Sequence, residues 1–123
     1  MTKSDLPDLR RLATKGRITY SEHAFIQMLD RGISREDIKN ILSSSTNQLI
    51  EVQPPSDEEG KRHKDERALV SDPEYKQGED GIVVILVIQF NPYPEIRIVT
   101  AMYIWEERWI QRPGEDPWLV RSR

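Results

Sequence analysis

Residues 82–103 read IVVILVIQFNPYPEIRIVTAMY, and this stretch decides the fold class. Ile82–Phe90 is apolar without alternation, the pattern of a central strand covered on both faces. Asn91–Pro94, NPYP, is a turn, since proline cannot donate to a ladder and asparagine favours tight bends. Glu95–Ile104 then alternates as a second strand. A strict period of two places Ile96, Ile98, Thr100 and Met102 on one face and Arg97, Val99, Ala101 and Tyr103 on the other. Two long strands joined by a short turn are an antiparallel pair, and the rest of the chain has to pack around them.

Upstream, two more strand signals lead into this pair. QLIEV (Gln48–Val52) alternates, and RALV (Arg67–Val70) is short and apolar. PPSDEEGKRHKDE (Pro54–Glu66) between them is a charged loop, and SDPEYKQGEDG (Ser71–Gly81) is a polar hairpin connection. Further upstream the period changes to that of helices. Ser4 is placed to cap a helix carrying Leu6, Leu9, Leu12 and Ala13, with Pro7 in its first turn and Gly16 as its stop. RITY (Arg17–Tyr20) is a short extended link. Ser21 caps a second helix whose apolar face is read as Phe25, Ile26, Met28 and Leu29, ended by Gly32. Ser34 and Asp37 form a capping box for a third, with Ile38, Ile41 and Leu42 inward. Three helices followed by hairpin-connected strands make an α+β domain, its N-terminal helices packed on a mainly antiparallel, meander-like sheet of about four strands. The helical part covers about 4–43 and the sheet about 47–104. The tryptophan-rich extension 105–123 reads equally as a β-hairpin turned by RPGEDP or as one or two helical turns in WEERWIQ.

The chain has 123 residues, enough for one domain with a modest core. It has 18 Lys and Arg against 21 Asp and Glu, a net charge of −3, which argues against a dominant nucleic-acid footprint. The acidity is concentrated in residues 41–80, with ten acidic residues against five basic, whereas residues 1–40 carry eight basic against six acidic. Cysteine is absent, so disulfides and cysteine nucleophiles are excluded, and two histidines far apart do not make a zinc site. No metal or other cofactor is expected. The first residues lack the apolar core of a signal peptide, and the longest apolar run, Ile82–Ile88, falls short of the ~20 residues of a membrane helix. The reading is a cytoplasmic protein with no membrane partner.

Two kinds of residue carry the functional expectation. His23, Gln27 and Arg31 follow at i, i+4 and i+8 as a polar stripe on the second helix, opposite its apolar centre. Such a stripe is either a solvated face or the border of a site on the open side of the sheet, where His23 moves protons and Arg31 holds a phosphate. The other kind is the strand arginines. Arg67 is either a surface partner of Asp65 or Glu66 or a phosphate clamp, and Arg97 either covers the sheet with its stem or recognises a ligand. Tyr103 shares the face of Arg97 while Thr100 lies opposite, so one site cannot use all three unless a bulge intervenes. His63, within GKRHKDER, reads as a solvated loop residue. Trp105, Trp109 and Trp118 read as core or interface residues before base-stacking platforms. No nucleotide-binding glycine loop, zinc signature or serine nucleophile elbow is present.

ITYSEHAFIQMLDRGISREDIKNIL (Ile18–Leu42) resembles the opening motif of the family labelled domain of unknown function 4258. That motif runs roughly lt-S-x-H-A-x-x-R-M-x-x-R-G-I-S-x-x-D-I-x-x-v-l. Ser21, His23, Ala24, Met28, Arg31, Gly32, Ile33, Ser34, Asp37 and Ile38 match it. Looser likeness continues through Arg67, Ile82–Ile88 and Ile96–Tyr103, so about residues 18–103 are covered. The family is grouped by pattern with barnase, colicin and RelE-like ribonuclease folds. The resemblance therefore implies metal-independent, toxin-type cleavage of RNA. In that reading His23 transfers protons, Arg31 and Arg67 stabilise the phosphate, and Thr100 or Tyr103 comes from the last motif strand; Arg97 on its strand and Gln27 in the polar stripe are the candidate substrate contacts read from the residues themselves. This chain has Gln27 where the family commonly has arginine, one cation fewer in the stripe. An RNA substrate and an antitoxin-like protein partner go with that reading. The other reading is a non-catalytic interaction module of the same fold, with a protein partner or a second copy.

Overall fold

The computed structural model describes residues 1–59, 64–89 and 93–122. After a 3-10 turn at Lys3–Asp5, the elements are α1 (Leu6–Thr14), β1 (Ile18–Tyr20), α2 (Glu22–Arg31), α3 (Arg35–Ser43), β2 (Gln48–Gln53), β3 (Arg67–Ser71), β4 (Ile82–Gln89), β5 (Glu95–Tyr103), β6 (Trp109–Gln111) and β7 (Leu119–Arg121). The domain is α+β, with its helices at the N-terminal end, as the periodicities predict. Five strands form the main sheet in the order β1-β5-β4-β3-β2, and β6-β7 form a separate hairpin. The expected antiparallel meander is β2 through β5. RITY corrects the count of about four strands: it is no link but β1, which pairs in parallel with the start of β5, Ile18 opposite Ile96 and Tyr20 opposite Ile98.

The helix boundaries follow local chemistry. The Ser21 hydroxyl accepts the Ala24 N–H at 3.0 Å, and Gly32, at φ +69, closes α2 in a left-handed conformation that a Cβ would strain. The Ser34–Asp37 capping box is formed, each side chain accepting the other's backbone N–H at 3.0 and 2.8 Å. Leu9, Ile38, Ile41 and Leu42 are fully buried against Val70, Val84, Leu86, Ile96 and Ile98 on one face of the sheet. On the opposite face Leu69, Val83 and Ile85 pack with Trp118, Leu119 and Ile104. The extension is thus a 3-10 turn, Ile104–Glu106, followed by the β6-β7 hairpin, and it covers half of the far face. This is why Ile82–Ile85 can be apolar on both sides.

Two sequence expectations are overturned. The alternation along β5 breaks, because Ile85 lies opposite Thr100 while Leu86 lies opposite Ile98, leaving Val99 as the extra residue of a β-bulge. Ala101 and Tyr103 therefore join Ile96 and Ile98 on the helix side, and Thr100 and Met102 share the far face with Arg97. The second correction concerns α2. Its buried residues are Ala24 and Met28, whereas Phe25, Ile26 and Leu29 are 41, 51 and 67% exposed. The helix lies along the edge of β5 rather than across a face, so its inward side is narrow and partly polar. Among the described residues, no helix is long and apolar enough to cross a membrane.

Candidate functional site

β5 outruns β1. Beyond Ile98 its edge has no strand partner, and backbone groups there need hydrogen bonds from elsewhere. The backbone N–H of Ser21 donates to the Ile98 carbonyl at 3.0 Å, and the Ser21 hydroxyl donates to that of Val99 at 3.3 Å. At the other end of α2, Arg31 Nη1 donates to the Ala101 carbonyl at 3.1 Å. Midway, the Thr100 hydroxyl donates to the Gln27 side chain. The stripe at Gln27 and Arg31 is thus half-buried and faces the strand edge, not solvent.

Arg31 belongs to a closed ring of bonds. Its Nε donates to Glu106 Oε1 at 2.7 Å, the Tyr103 N–H donates to Glu106 Oε2 at 2.7 Å, and the Tyr103 hydroxyl returns to the Arg31 carbonyl at 3.1 Å. Tyr103 also stacks on Trp105, the ring centroids 5.9 Å apart. Arg31 and Tyr103 therefore tie α2, β5 and the start of the extension together. Neither lines the cleft described next.

His23 takes a different direction. It is exposed in the first turn of α2 and, with Ser21, borders an open cleft of about 330 Å³ on the uncovered half of the far face. Lys64, Asp65, Arg67, Val87, Arg97 and Val99 complete the lining. The strand register explains this convergence. Arg97 lies opposite Val87, and Arg67 precedes Ala68, whose partner Leu86 precedes Val87, so the two arginines flank Val87 across three strands. Strands spaced ~4.8 Å apart set their Cα atoms roughly 10 Å from one another, a span that a phosphodiester can bridge. Neither arginine makes an ion pair among the described residues. Three cationic side chains against one carboxylate, beside the positive end of α2, form an anion-accepting cleft with an imidazole at its rim.

Of the residues singled out from sequence, His23, Arg67 and Arg97 are brought together. Gln27 and Thr100 stand behind them, bonded to each other, and Arg31 and Tyr103 lie apart. Glu66, next to Arg67, accepts the N-terminal ammonium. Lys64 was not anticipated, because nothing in the charged run separates it from its neighbours. His63 lies outside the described residues. Among those described, no three His, Asp or Glu side chains gather as metal ligands would.

Burial alone would raise the Asp37 carboxyl, but hydrogen bonds from Tyr75 and Ser34, with the Lys76 ammonium at 3.4 Å, bring it below the ordinary carboxylate range. Burial and the adjacent Asp37 push the Tyr75 hydroxyl up. Burial also raises Tyr20, opposed by the Arg35 guanidinium, which lies 5.4 Å from the centre of its ring. These groups anchor loops and helices and do not line the cleft.

Searches of curated proteins and of solved structures found no match to the chain. A family model described as Domain of unknown function (DUF4258) matches residues 20–103, from the last residue of β1 to the last residue of β5. The match takes in His23, Arg67 and Arg97 and leaves Glu106 and the β6-β7 hairpin outside it. With that span covering most of its length, the chain belongs to the DUF4258 family.

Proposed function

We propose that the cleft binds the backbone of single-stranded RNA and cleaves it without a metal, in the manner of the barnase, colicin and RelE-like ribonucleases with which the family pattern is grouped. The observation that carries this reading is the meeting of His23, Lys64, Arg67 and Arg97 from three parts of the chain in one open cleft. In the reaction, neutral His23 takes the proton of a 2′-hydroxyl as its oxygen bonds to the adjacent phosphorus. The bond from phosphorus to the 5′-oxygen breaks, and water protonates the departing oxygen. The products are a 2′,3′-cyclic phosphate and a 5′-hydroxyl. Arg67 and Arg97, on either side, stabilise the charge of the pentacoordinate phosphorus. Thr100 and Gln27 hold α2, and with it His23, in register with β5.

The test is cleavage of a fluorescent oligoribonucleotide by wild type, His23→Ala and Arg97→Ala, with binding measured across salt concentrations. His23→Ala should abolish cleavage and retain binding. The logarithm of affinity should fall against log salt with a slope of about −2, from ~0.7 per neutralised phosphate over three cations. Cleavage undiminished by His23→Ala would refute the catalytic role, and binding indifferent to salt would refute the phosphate contacts.

A second reading, a protein-interaction module, is favoured by the exposed row Phe25, Ile26 and Leu29 on α2. Its partner is a second copy or an antitoxin-like protein, and light scattering with and without Ile26→Ser separates the first case.

A further inference from the structure

At the opposite end of the far face lies a second cleft, of about 370 Å³, between the β3–β4 connection and the β6–β7 turn. Gln48, Glu74, Gln77, Gln111, Glu115 and Trp118 supply its polar lining. It shares no residue with the cleft at His23.

Both walls are fixed before any ligand arrives. In the β3–β4 connection, the buried Asp72 carboxylate accepts the Thr46 hydroxyl at 2.7 Å and the Glu74 N–H at 3.0 Å. Tyr75 and Lys76 then turn away to Asp37, the hydroxyl at 2.5 Å and the ammonium at 3.4 Å. Lys76 accepts a left-handed φ of +49 to do so, a strained conformation for a residue with a side chain. The result is that residues 73–74 and 77–78 line the cleft while 75–76 hold the loop to α3. In the other wall, Gln48 uses both ends of its amide: Oε1 accepts the Trp118 N–H at 2.7 Å and Nε2 donates to the Glu115 carbonyl at 3.3 Å. The Arg112 N–H donates to the Trp118 carbonyl at 2.7 Å, and its Nη2 to that of Pro117 at 2.9 Å. A cleft held in this way loses little entropy when it binds.

The lining also states what it accepts. Among the described residues that border it there is no Lys, Arg or His, so nothing rewards an anion. The Glu115 carboxylate is offset by Arg112 at 3.4 Å, leaving Glu74 as the one uncompensated charge. Carboxamides and carboxylates offer acceptors. Trp118 is 3% exposed with its indole N–H buried, so it backs the cleft and leaves the exposed carboxamides of Gln77 and Gln111 as the donors. Pro73 and Pro113 add apolar surface. A ligand must therefore donate and accept at several points, carry no negative charge and show apolar C–H faces.

We propose that this cleft binds a neutral, hydroxyl-rich small molecule, a mono- or disaccharide, with the carboxamide N–H groups of Gln77 and Gln111 donating to its hydroxyl oxygens and the Glu74 carboxylate accepting from its hydroxyls. The volume is that of a small polar ligand rather than a polymer. The proposal does not depend on the reaction at His23.

The test uses the ¹⁵N-labelled full chain. The indole N–H resonance of Trp118, assigned with Trp118→Phe, is followed during titration with glucose, galactose, maltose and N-acetylglucosamine to 50 mM, about the weak-binding range of a site this small. Saturable movement of that resonance by at least one saccharide is expected, reduced tenfold or more in affinity by Glu74→Ala with Gln77→Ala, both exposed positions whose replacement spares the fold. No saturable movement with any of the four overturns the proposal, as does movement that persists in the double variant. Movement by arginine amide or spermidine alone overturns the ligand class and leaves an acidic cation-binding cleft.

Discussion

Replacing Glu106 with alanine tests whether Arg31 is a clamp or a phosphate ligand, because the two roles predict opposite signatures. Glu106 accepts two charge-assisted bonds, from Arg31 Nε and from the Tyr103 N–H, both at 2.7 Å. Such bonds contribute about 1.5–3 kcal/mol each when desolvated. The Arg31 and Glu106 side chains remain 23 and 18% exposed, so solvent screens part of this, and a total loss of about 2–3 kcal/mol is expected. With an unfolding entropy of about 2.1 cal/mol/K per residue, this chain changes by roughly 0.26 kcal/mol per degree, so the midpoint temperature falls by about 10 °C. Urea unfolding should give a lowered midpoint with unchanged slope. Arg31→Ala should cost a similar amount, and the double variant should show a coupling of about 1 kcal/mol or more. Arg31→Lys should not rescue, since one ammonium cannot reach both Glu106 and the Ala101 carbonyl in the fork geometry of a guanidinium. The clamp is refuted if Glu106→Ala and Arg31→Ala each stay within 0.5 kcal/mol of wild type, about the scatter of ordinary surface changes. A stable Arg31→Ala that has lost RNA cleavage would instead return Arg31 to the phosphate.

Two further outcomes follow from the packing. The Asp37 carboxyl titrates lower in the folded chain than in the unfolded one, so its contribution is complete above the ordinary carboxylate pKa of about 4 and is lost as pH falls through the folded value. Asp37→Asn should therefore lower stability by about 1.5–3 kcal/mol at neutral pH and flatten the acid limb of a stability–pH curve, and an unchanged limb would contradict the assignment. On α2, Met28→Ala should cost about 2–4 kcal/mol by emptying core volume, whereas Leu29→Ser should change urea stability by no more than about 0.5 kcal/mol. Equal losses at the two positions would contradict the edge placement of the helix.

The fold was legible where one residue type does one job. Ser21, Gly32 and the Ser34–Asp37 box mark helix ends by chemistry that acts over three or four residues, and the structure keeps each of them. The doubly covered strand was legible too, although what covers its far face, the β6-β7 hairpin, was not, because Trp105 and Trp109 fit a helical spacing as well as a strand. β1 was missed because three residues pairing in parallel at a sheet edge have too few side chains to show a period. The inward face of α2 was misread for a related reason. Hydrophobic size normally tells which side of a helix is buried, but a helix at a strand edge meets backbone carbonyls, and the residues that satisfy them are Ser21 and Arg31. Large apolar side chains are then left outside.

The bulge at Val99 shows how one residue redistributes a candidate site. In a strict period of two, Thr100 faces the helices and Tyr103 shares the face of Arg97. With the extra residue, Ile85 meets Thr100 and the pattern reverses beyond it. Tyr103 moves to the helix side, where its hydroxyl closes the ring through Arg31 and Glu106, and Thr100 moves beside Gln27, midway along α2. The same insertion leaves Val99 in the cleft floor, its carbonyl accepting the Ser21 hydroxyl that begins the helix bearing His23. The bulge thus joins the placement of the imidazole to that of the strand arginines, a coupling that no local pattern in the sequence encodes, since β-bulges depend on the partner strand as much as on their own. Deleting Val99 would place Thr100 directly after Ile98 in an unbulged strand, so Thr100 and Met102 would keep the far face and Tyr103 its ring, while the Ser21 hydroxyl would lose the Val99 carbonyl that ties the start of α2 to β5.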